Sequence, residues 1–312
     1  MMMPGRSYTN GNNNYRYGFN SHEKSNEIAG EGNHATALFG EYDTRLAKRW
    51  NPDPKRTVGI SIYSVFDNTP VWRNDILLDT PTAKEAAYIA DDSYNEKSNL
   101  DASDKKNGNW VRNDIKIPGV KYHDDGSGYD AHLYTRTVDG KTEYVFATQG
   151  TDPTSWKDWK NNVQQPFGVS EQYKINASNA NALQKFFGDK TDLTFVGHSL
   201  GGGLAAEGSM ITNHPAITFN AAGLSPITKA EISKSFASFA KNMTSTLFTK
   251  IDAYVVDGEI LNRTLGPLGL GADGNIHTIS VAFFSWYHFD PTGISKHLMG
   301  AVKNAIDNED IK

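Results

Sequence analysis

The residues best suited to chemistry lie in Gly197-His198-Ser199-Leu200-Gly201. Before them, Leu193 to Val196 is a run of apolar and β-branched residues of the kind that forms a buried strand. After them, Gly202 to Ala206 are small and compatible with a helix. A strand, a Gly-x-Ser-x-Gly turn and a helix in that order make a nucleophile elbow. So sharp a turn strains the serine backbone, and any side chain at Gly197 or Gly201 would collide with its surroundings. Ser199 is then lifted clear at the N-terminus of a helix, where the Leu200 amide is one donor to an oxyanion.

A serine hydroxyl is a poor nucleophile until a histidine takes its proton, and the imidazolium needs a carboxylate to orient and stabilise it. The chain has no cysteine, so its chemistry falls to oxygen and imidazole groups. On an elbow-bearing fold the acid and the base follow the serine in that order. The acid candidates, Asp257 and Glu259, come just after Ile251 to Val256, a stretch that reads as a strand. Of nine histidines, only His277, His288 and His297 follow them. His277 sits in a strand-like stretch, and His288, among Trp286, Tyr287 and Phe289, reads as a packed or pocket-lining residue. His198, inside the elbow, reads as structural.

These groups need elements to position them. Tyr129 to Arg136 and Thr142 to Ala147 flank Asp139-Gly140, a strong hairpin signal, and the second strand runs into Gln149-Gly150-Thr151-Asp152. Ser170 to Phe187 is amphipathic, with Tyr173, Ala177, Ala180, Leu183 and Phe187 on one face, and serves as the crossover to the elbow strand. Ile217 to Gly223 is a further strand ending in small residues. Upstream, Thr80 and Pro81 open a helix whose apolar face is Ala83, Ala86, Ala87, Ile89 and Ala90. Lys229 to Thr249 carries Phe236, Phe239, Met243 and Leu247 at helical spacing, which reads as packing rather than a lid. Alternating strands and helices predict an α/β fold with a mostly parallel sheet.

Composition narrows the classes. In 312 residues the apolar share is 38%, with mean hydropathy −0.55, low enough to imply a polar, turn-rich appendage beside a concentrated core. Net charge −5 without a block of Lys or Arg leaves no electrostatic footprint for nucleic acid. No metal-ligand spacing is visible, and neither a metal nor a cofactor is expected. The N-terminus lacks an apolar core of signal-peptide length, and the longest later apolar run, Val281 to Tyr287, is far short of a membrane span.

Two resemblances add to this. The strand ending in Gly150-Thr151, with Asp158-Trp159 and Asn161 or Asn162 beyond it, followed by the elbow, resembles the class 3 lipases. That resemblance implies an α/β-hydrolase with Thr151 as the second oxyanion donor. Gln149 stands where those lipases have Arg. It also implies an acid followed by two mostly apolar residues, which Glu259-Ile260-Leu261 fits better than Asp257-Gly258. The base it implies is His297, in Ser295-Lys296-His297-Leu298-Met299-Gly300. At the other end, Tyr15-Arg16-Tyr17-Gly18-Phe19-Asn20, Gly30-Glu31-Gly32-Asn33, Tyr42-Asp43-Thr44-Arg45-Leu46, Arg49-Trp50-Asn51-Pro52-Asp53-Pro54 and Tyr63 to Trp72 resemble the end of the Rhs-repeat-associated core of polymorphic toxins. Thr44 and Ala47 depart from its pattern, and Asn74-Asp75-Ile76-Leu77 stands where that core has its self-cleavage motif.

The expected organisation is a small hairpin-rich segment over residues 1–78 and a lipase-like α/β-hydrolase domain over 79–312. The expected activity is hydrolysis of acyl esters of membrane lipids through an acyl-Ser199 intermediate. From the Rhs resemblance come a bacterial effector secreted without a classical signal peptide and a cognate immunity protein as partner. A non-catalytic Rhs-type binding module, or a thioesterase or peptidase on the same fold, are the alternatives.

Overall fold

Side chains alternate strictly through the centre of the chain, and the alternation separates two apolar layers. Val145, Ala147 and Val196 join one buried cluster, while Phe146 and Phe195 join another. Strands that bury both faces in this way belong to a sheet covered by helices on each side. In the computed structural model, the residues described are 23–24, 34–37, 40–43, 48–49, 81–103, 107–138, 140–150, 171–188, 191–237, 250–309 and 311. The chain divides into two compact units, Met1–Thr80 and Pro81–Lys312.

In the first unit, the strands β1 (Glu23–Lys24), β2 (His34–Ala37), β3 (Gly40–Asp43) and β4 (Lys48–Arg49) pair in sequence order, all antiparallel. The remaining residues that carry the Rhs resemblance lie outside the described residues.

The second unit opens with α1 (Ala83–Asp92), which starts slightly later than the sequence predicts. Thr82, not Thr80, is the N-cap: its hydroxyl accepts from Glu85 N–H while the Glu85 carboxylate accepts from Thr82 N–H. The strands β5 (Val111–Asn113), β6 (His123–Asp124), β7 (Tyr129–Val138) and β8 (Lys141–Thr148) follow, with β7 and β8 forming the expected hairpin. From β8 onward the pairing is parallel, through β9 (Leu193–His198), β10 (Ala216–Phe219), β11 (Ile251–Val256) and β12 (Asn275–Ile279). The order across the sheet is β12-β11-β10-β9-β8-β7-β5, with β6 on β7. This is the mostly parallel α/β-hydrolase sheet expected.

The crossovers include α2 (Glu171–Phe187), α3 (Leu200–Thr212), α4 (Pro226–Ala237) and α5 (Ile260–Leu265), and the chain closes with α6 (Ile294–His297) and α7 (Met299–Asn308). On one face of the sheet lie Tyr173 and Leu183 of α2 with Leu204, Ala205 and Met210 of α3. On the other, the alanine stripe of α1 packs with Met299, Val302 and Ile306 of α7. Of the expected stripe on α4 and beyond, Phe239, Met243 and Leu247 lie outside the described residues.

Because β9 to β12 run parallel, their C-terminal ends share one edge, and the segments that leave them are gathered there. The turn after α1 reaches the same region and is held by a buried polar knot. Asp92 accepts from Asn99 N–H (2.7 Å), Ser98 Oγ (2.8 Å), Tyr134 OH (2.9 Å) and Arg112 (3.0 Å). Burial opposes its charge, but these bonds and the guanidinium outweigh that and keep its carboxyl below the usual range. Arg112 is itself only 11% exposed. Removing it strands a buried carboxylate, so Arg112→Ala is expected to cost about 3–5 kcal/mol in urea unfolding. An unchanged midpoint would show that the knot is solvated.

Candidate active site

The elbow is built as its glycines require. Ser199 adopts φ 58° and ψ −125°, a conformation rare outside glycine, and stands as the N-cap of α3. A Cβ on Gly197 would strike the Gly201 carbonyl, and one on Gly201 would strike the carbonyl of Thr148. The turn is fastened by Ser199 N–H to the Phe219 carbonyl (3.0 Å) and Ala222 N–H to the Ser199 carbonyl (3.0 Å). The Leu200 amide is the first of α3. Gly150 backs directly onto the elbow, since a Cβ there would lie 2.7 Å from the His198 carbonyl and 2.7 Å from the Tyr94 hydroxyl. Thr151, with Asp158, Trp159, Asn161 and Asn162, lies outside the described residues.

Ser199 and His297 are 98 residues apart in the chain, yet the serine hydroxyl donates to His297 Nε2 at 2.9 Å. On the other side of the ring, His297 Nδ1 donates to Glu259 Oε2 at 2.7 Å. All three residues are buried, Ser199 at 5%, His297 at 1% and Glu259 at 1% exposure. Glu259 is also the N-cap of α5. Its Oε2 accepts from Leu261 N–H (2.9 Å), and its Oε1 from Asn262 N–H (2.5 Å) and Asn262 Nδ2 (2.7 Å). The carboxylate therefore meets the free amides of a helix start as well as the imidazole.

The other candidates fall elsewhere. Asp257, the second acid considered, is exposed and does not meet His297, because the chain turns at Gly258 (φ 73°) and delivers the carboxylate two residues later. His277, on the outer strand β12, pairs with Asp252 of β11 (2.8 Å). His288 is exposed and rests against Phe283, with ring centroids 4.8 Å apart, so of the two readings its neighbours suggest, packed or pocket-lining, the first does not hold.

His198 has a more specific position than a generic structural residue. Its Nε2 donates to the His297 carbonyl (2.7 Å), and its Nδ1 accepts from the Tyr94 hydroxyl (2.9 Å). Asn220 Nδ2 donates to the same carbonyl (3.0 Å) and to that of Lys296 (3.0 Å), while its Oδ1 accepts from Val256 N–H (2.8 Å). The backbone of His297 is thus pinned by two side chains at the ends of β9 and β10. Sequence reasoning missed Asn220 and Tyr94. The available signal for Asn220 was a lone amide closing an apolar strand before Ala221-Ala222-Gly223. The loop that brings in His297 is tied to itself by Asp290, which accepts from Ser295 N–H (2.7 Å) and Thr292 N–H (2.8 Å).

Among the described residues no cluster of His, Asp or Glu has metal-site geometry. The arrangement is suited to proton transfer from a hydroxyl to an imidazole backed by a carboxylate.

Complete burial, and then the neighbouring His297, push His198 from 6.5 down to about 3. The folded state keeps it neutral where the unfolded chain takes a proton. Its contribution to stability is therefore full above about pH 6.5 and falls as the pH drops toward 3. His198→Gln, which retains a donor for the His297 carbonyl, is expected to flatten that part of the stability profile relative to wild type. Identical slopes in urea unfolding between pH 6.5 and 4 would contradict this.

Comparison with known proteins places the chain. The family model described as Phospholipase-like, Tle-like phospholipase domain, matches residues 85–278, more than half of the sequence. An extracellular phospholipase A1 of Serratia liquefaciens is 42% identical over 113 residues, which is 36% of this chain and 33% of that protein, so the match spans about a third of the relative. Among solved structures, a triacylglycerol lipase from Penicillium expansum is 13% identical, over 65% of this chain and 79% of its own, at a TM-score of 0.41. The Lip2 lipase from Yarrowia lipolytica is 14% identical, over 64% and 77%, at 0.37. Both scores are below 0.5, and the assignment rests on the family match. With its elbow serine and Glu259 inside the matched range, the chain belongs to the Tle-like phospholipase domain family.

Proposed function

We propose that the protein is a serine phospholipase that hydrolyses acyl esters of membrane lipids through an acyl-Ser199 intermediate. The observation that carries this is the continuous line Ser199 Oγ, His297, Glu259, with bonds of 2.9 and 2.7 Å, in a chain of a phospholipase family. In the reaction, His297 Nε2 takes the Ser199 proton as Oγ bonds to the acyl carbon. The carbonyl oxygen gathers negative charge, and the Leu200 amide at the start of α3 is placed to receive it, with Thr151 proposed as the second donor. Collapse expels the glycerol oxygen, which takes the proton from His297. Water then attacks the acyl-serine by the same relay, releasing fatty acid and restoring Ser199. Glu259 accepts from His297 Nδ1 throughout and holds the ring in place. The name of the Serratia relative, a phospholipase A1, makes the ester at the first glycerol position the first to examine.

We extend the proposal to context. Residues 1–78 are read as a Rhs-associated core segment, and 79–312 as the effector domain that it accompanies into a competing bacterium. In the producing cell an immunity protein restrains it. The order of the Rhs-like fragments supports this, as does the antiparallel pairing of β1 to β4.

Two experiments test these statements. Wild-type protein is expected to release fatty acid from phospholipid vesicles and Ser199→Ala to release none. Glu259→Gln is expected to lower kcat by about 10³–10⁴, and Asp257→Asn to leave it within twofold. Full activity of Ser199→Ala would end the serine mechanism, and a large loss in Asp257→Asn alone would move the acid. For the context, export of the wild type to a bacterial periplasm is expected to stop growth, and export of Ser199→Ala is not. Equal growth of the two strains would remove the effector role while leaving the enzymology intact.

A further inference from the structure

The aromatic-rich segment from Val281 to Phe289, which contains the apolar run Val281 to Tyr287, has no part in the chemistry described above. It connects β12 to the segment that carries His297. Four large aromatic side chains within it face solvent: Phe283 at 64%, Phe284 at 92%, Trp286 at 62% and Phe289 at 67% exposure. The other strongly exposed large apolar residues, such as Ile115, Phe186 and Leu268, are scattered along the described chain. Taken together the four expose on the order of 500 Å², the size at which a surface patch on a monomer usually has a function.

This is not a loose loop with accidental exposure. Val281 is buried, Ala282 N–H donates to Asn304 Oδ1 (2.9 Å), and Ser285 caps the turn Trp286–Phe289. Tyr287 is half-buried against the core and lies beside Trp286, with ring centroids 4.3 Å apart and planes tilted by 35°. The backbone is anchored while the rings stand out, and Phe283 touches Phe284, His288 and Phe289.

Placement gives the patch a direction. Since β9, β10, β11 and β12 are parallel neighbours, the segment leaving β12 lies at the same edge of the sheet as Ser199, Asn220 and Glu259. Three strand spacings separate it from the elbow strand, or about 14 Å. Beyond the rings the chain returns at once to the site. Gly293 accepts from Ile260 N–H next to Glu259, Arg263 donates to the carbonyls of Pro291 and Thr292, and His297 follows.

We propose that Phe283, Phe284, Trp286 and Phe289 form a docking surface for a phospholipid bilayer, immersed at the boundary of headgroups and acyl chains so that the catalytic edge faces the membrane. This rests on the phospholipase reading. Ser199 is buried, so a lipid must leave the bilayer to reach it, and rings fixed at the same edge shorten that transfer. Trp and Phe are the side chains that settle at this depth. The segment 281–289 has no Lys, Arg, Asp or Glu, and the Asp290 carboxylate is occupied by Ser295 and Thr292. Attraction to it is therefore apolar and independent of anionic lipid. A protein partner on these rings would shadow the edge by which substrate enters.

The test separates docking from catalysis. Full-length Ser199→Ala, which leaves the lipid intact, is expected to float with phosphatidylcholine vesicles, in low and high salt alike. Adding Phe283→Ser and Phe284→Ser is expected to weaken that binding at least tenfold. Phe284→Ser alone, at a side chain almost wholly in solvent, is expected to weaken it severalfold without any question of misfolding. In the active protein the double substitution is expected to reduce vesicle hydrolysis to the same degree and to leave hydrolysis of a monomeric short-chain phospholipid within twofold. Equal flotation and equal vesicle hydrolysis by the double variant would overturn the docking surface while the phospholipase reading stands. So would binding that appears only with anionic lipid, or rings that mediate self-association and not flotation. Failure of the wild type to cleave even the monomeric phospholipid would sink the phospholipase reading, and flotation of Ser199→Ala would then still report on the surface by itself.

Discussion

Where β9 turns into α3, three backbones come together with no room for a Cβ at Gly150, Gly197 or Gly201. That close approach holds Ser199 at φ 58° and ψ −125°, a strain of about 1–3 kcal/mol that a free turn would relax. Bonds from Ser199 N–H to β10, from Ala222 N–H to the Ser199 carbonyl and from Thr148 Oγ1 to the Gly201 carbonyl (2.7 Å) offset it. The hydroxyl is consequently aimed at one place, where His297 meets it.

The partners are positioned by different physics. Glu259 is held by the start of a helix, where free amides favour a carboxylate, so its geometry survives whatever charge the imidazole carries. His297 is held by its own carbonyl, gripped by His198 and Asn220, so the ring can change protonation without moving the chain that carries it. The His198 ring is fully buried and lies 5.0 Å from that of His297, centroid to centroid, and both conditions disfavour a charge on His198. Burial keeps His198 neutral, and in the proposed reaction the proton of Ser199 passes to the ring that has a carboxylate behind it.

A polar knot reaches into this site from outside. Asp92 and Arg112 fix the turn after α1, and from that turn Tyr94 extends to His198 and to the back of Gly150. A group far from the chemistry in sequence thus braces both the strand end before the elbow and the histidine loop behind it. The aromatic segment after β12 lies at the same edge and is anchored just as firmly, with its rings outward instead of inward.

Local chemistry was legible in the sequence because it is written in adjacent residues. The elbow, the β7–β8 hairpin, the apolar run of β9 and the amphipathic α2 each depend on neighbours one to four positions away. Helix starts were less secure: Thr80 and Thr82 offer equivalent hydroxyls, and only the reach of Glu85 back to Thr82 N–H selects between them. The pairing of Glu259 rather than Asp257 with His297, and the roles of Asn220 and Tyr94, were not legible in the residues alone. Two carboxylates on one turn differ only in where the backbone points them, and a bond across 98 residues depends on how strands lie side by side. Sequence by itself determined which groups were available and how the serine is presented. The tertiary structure decided which of them meet, because parallel packing of β9 to β12 brings their ends to one edge, where Glu259 and His297 come into line with Ser199.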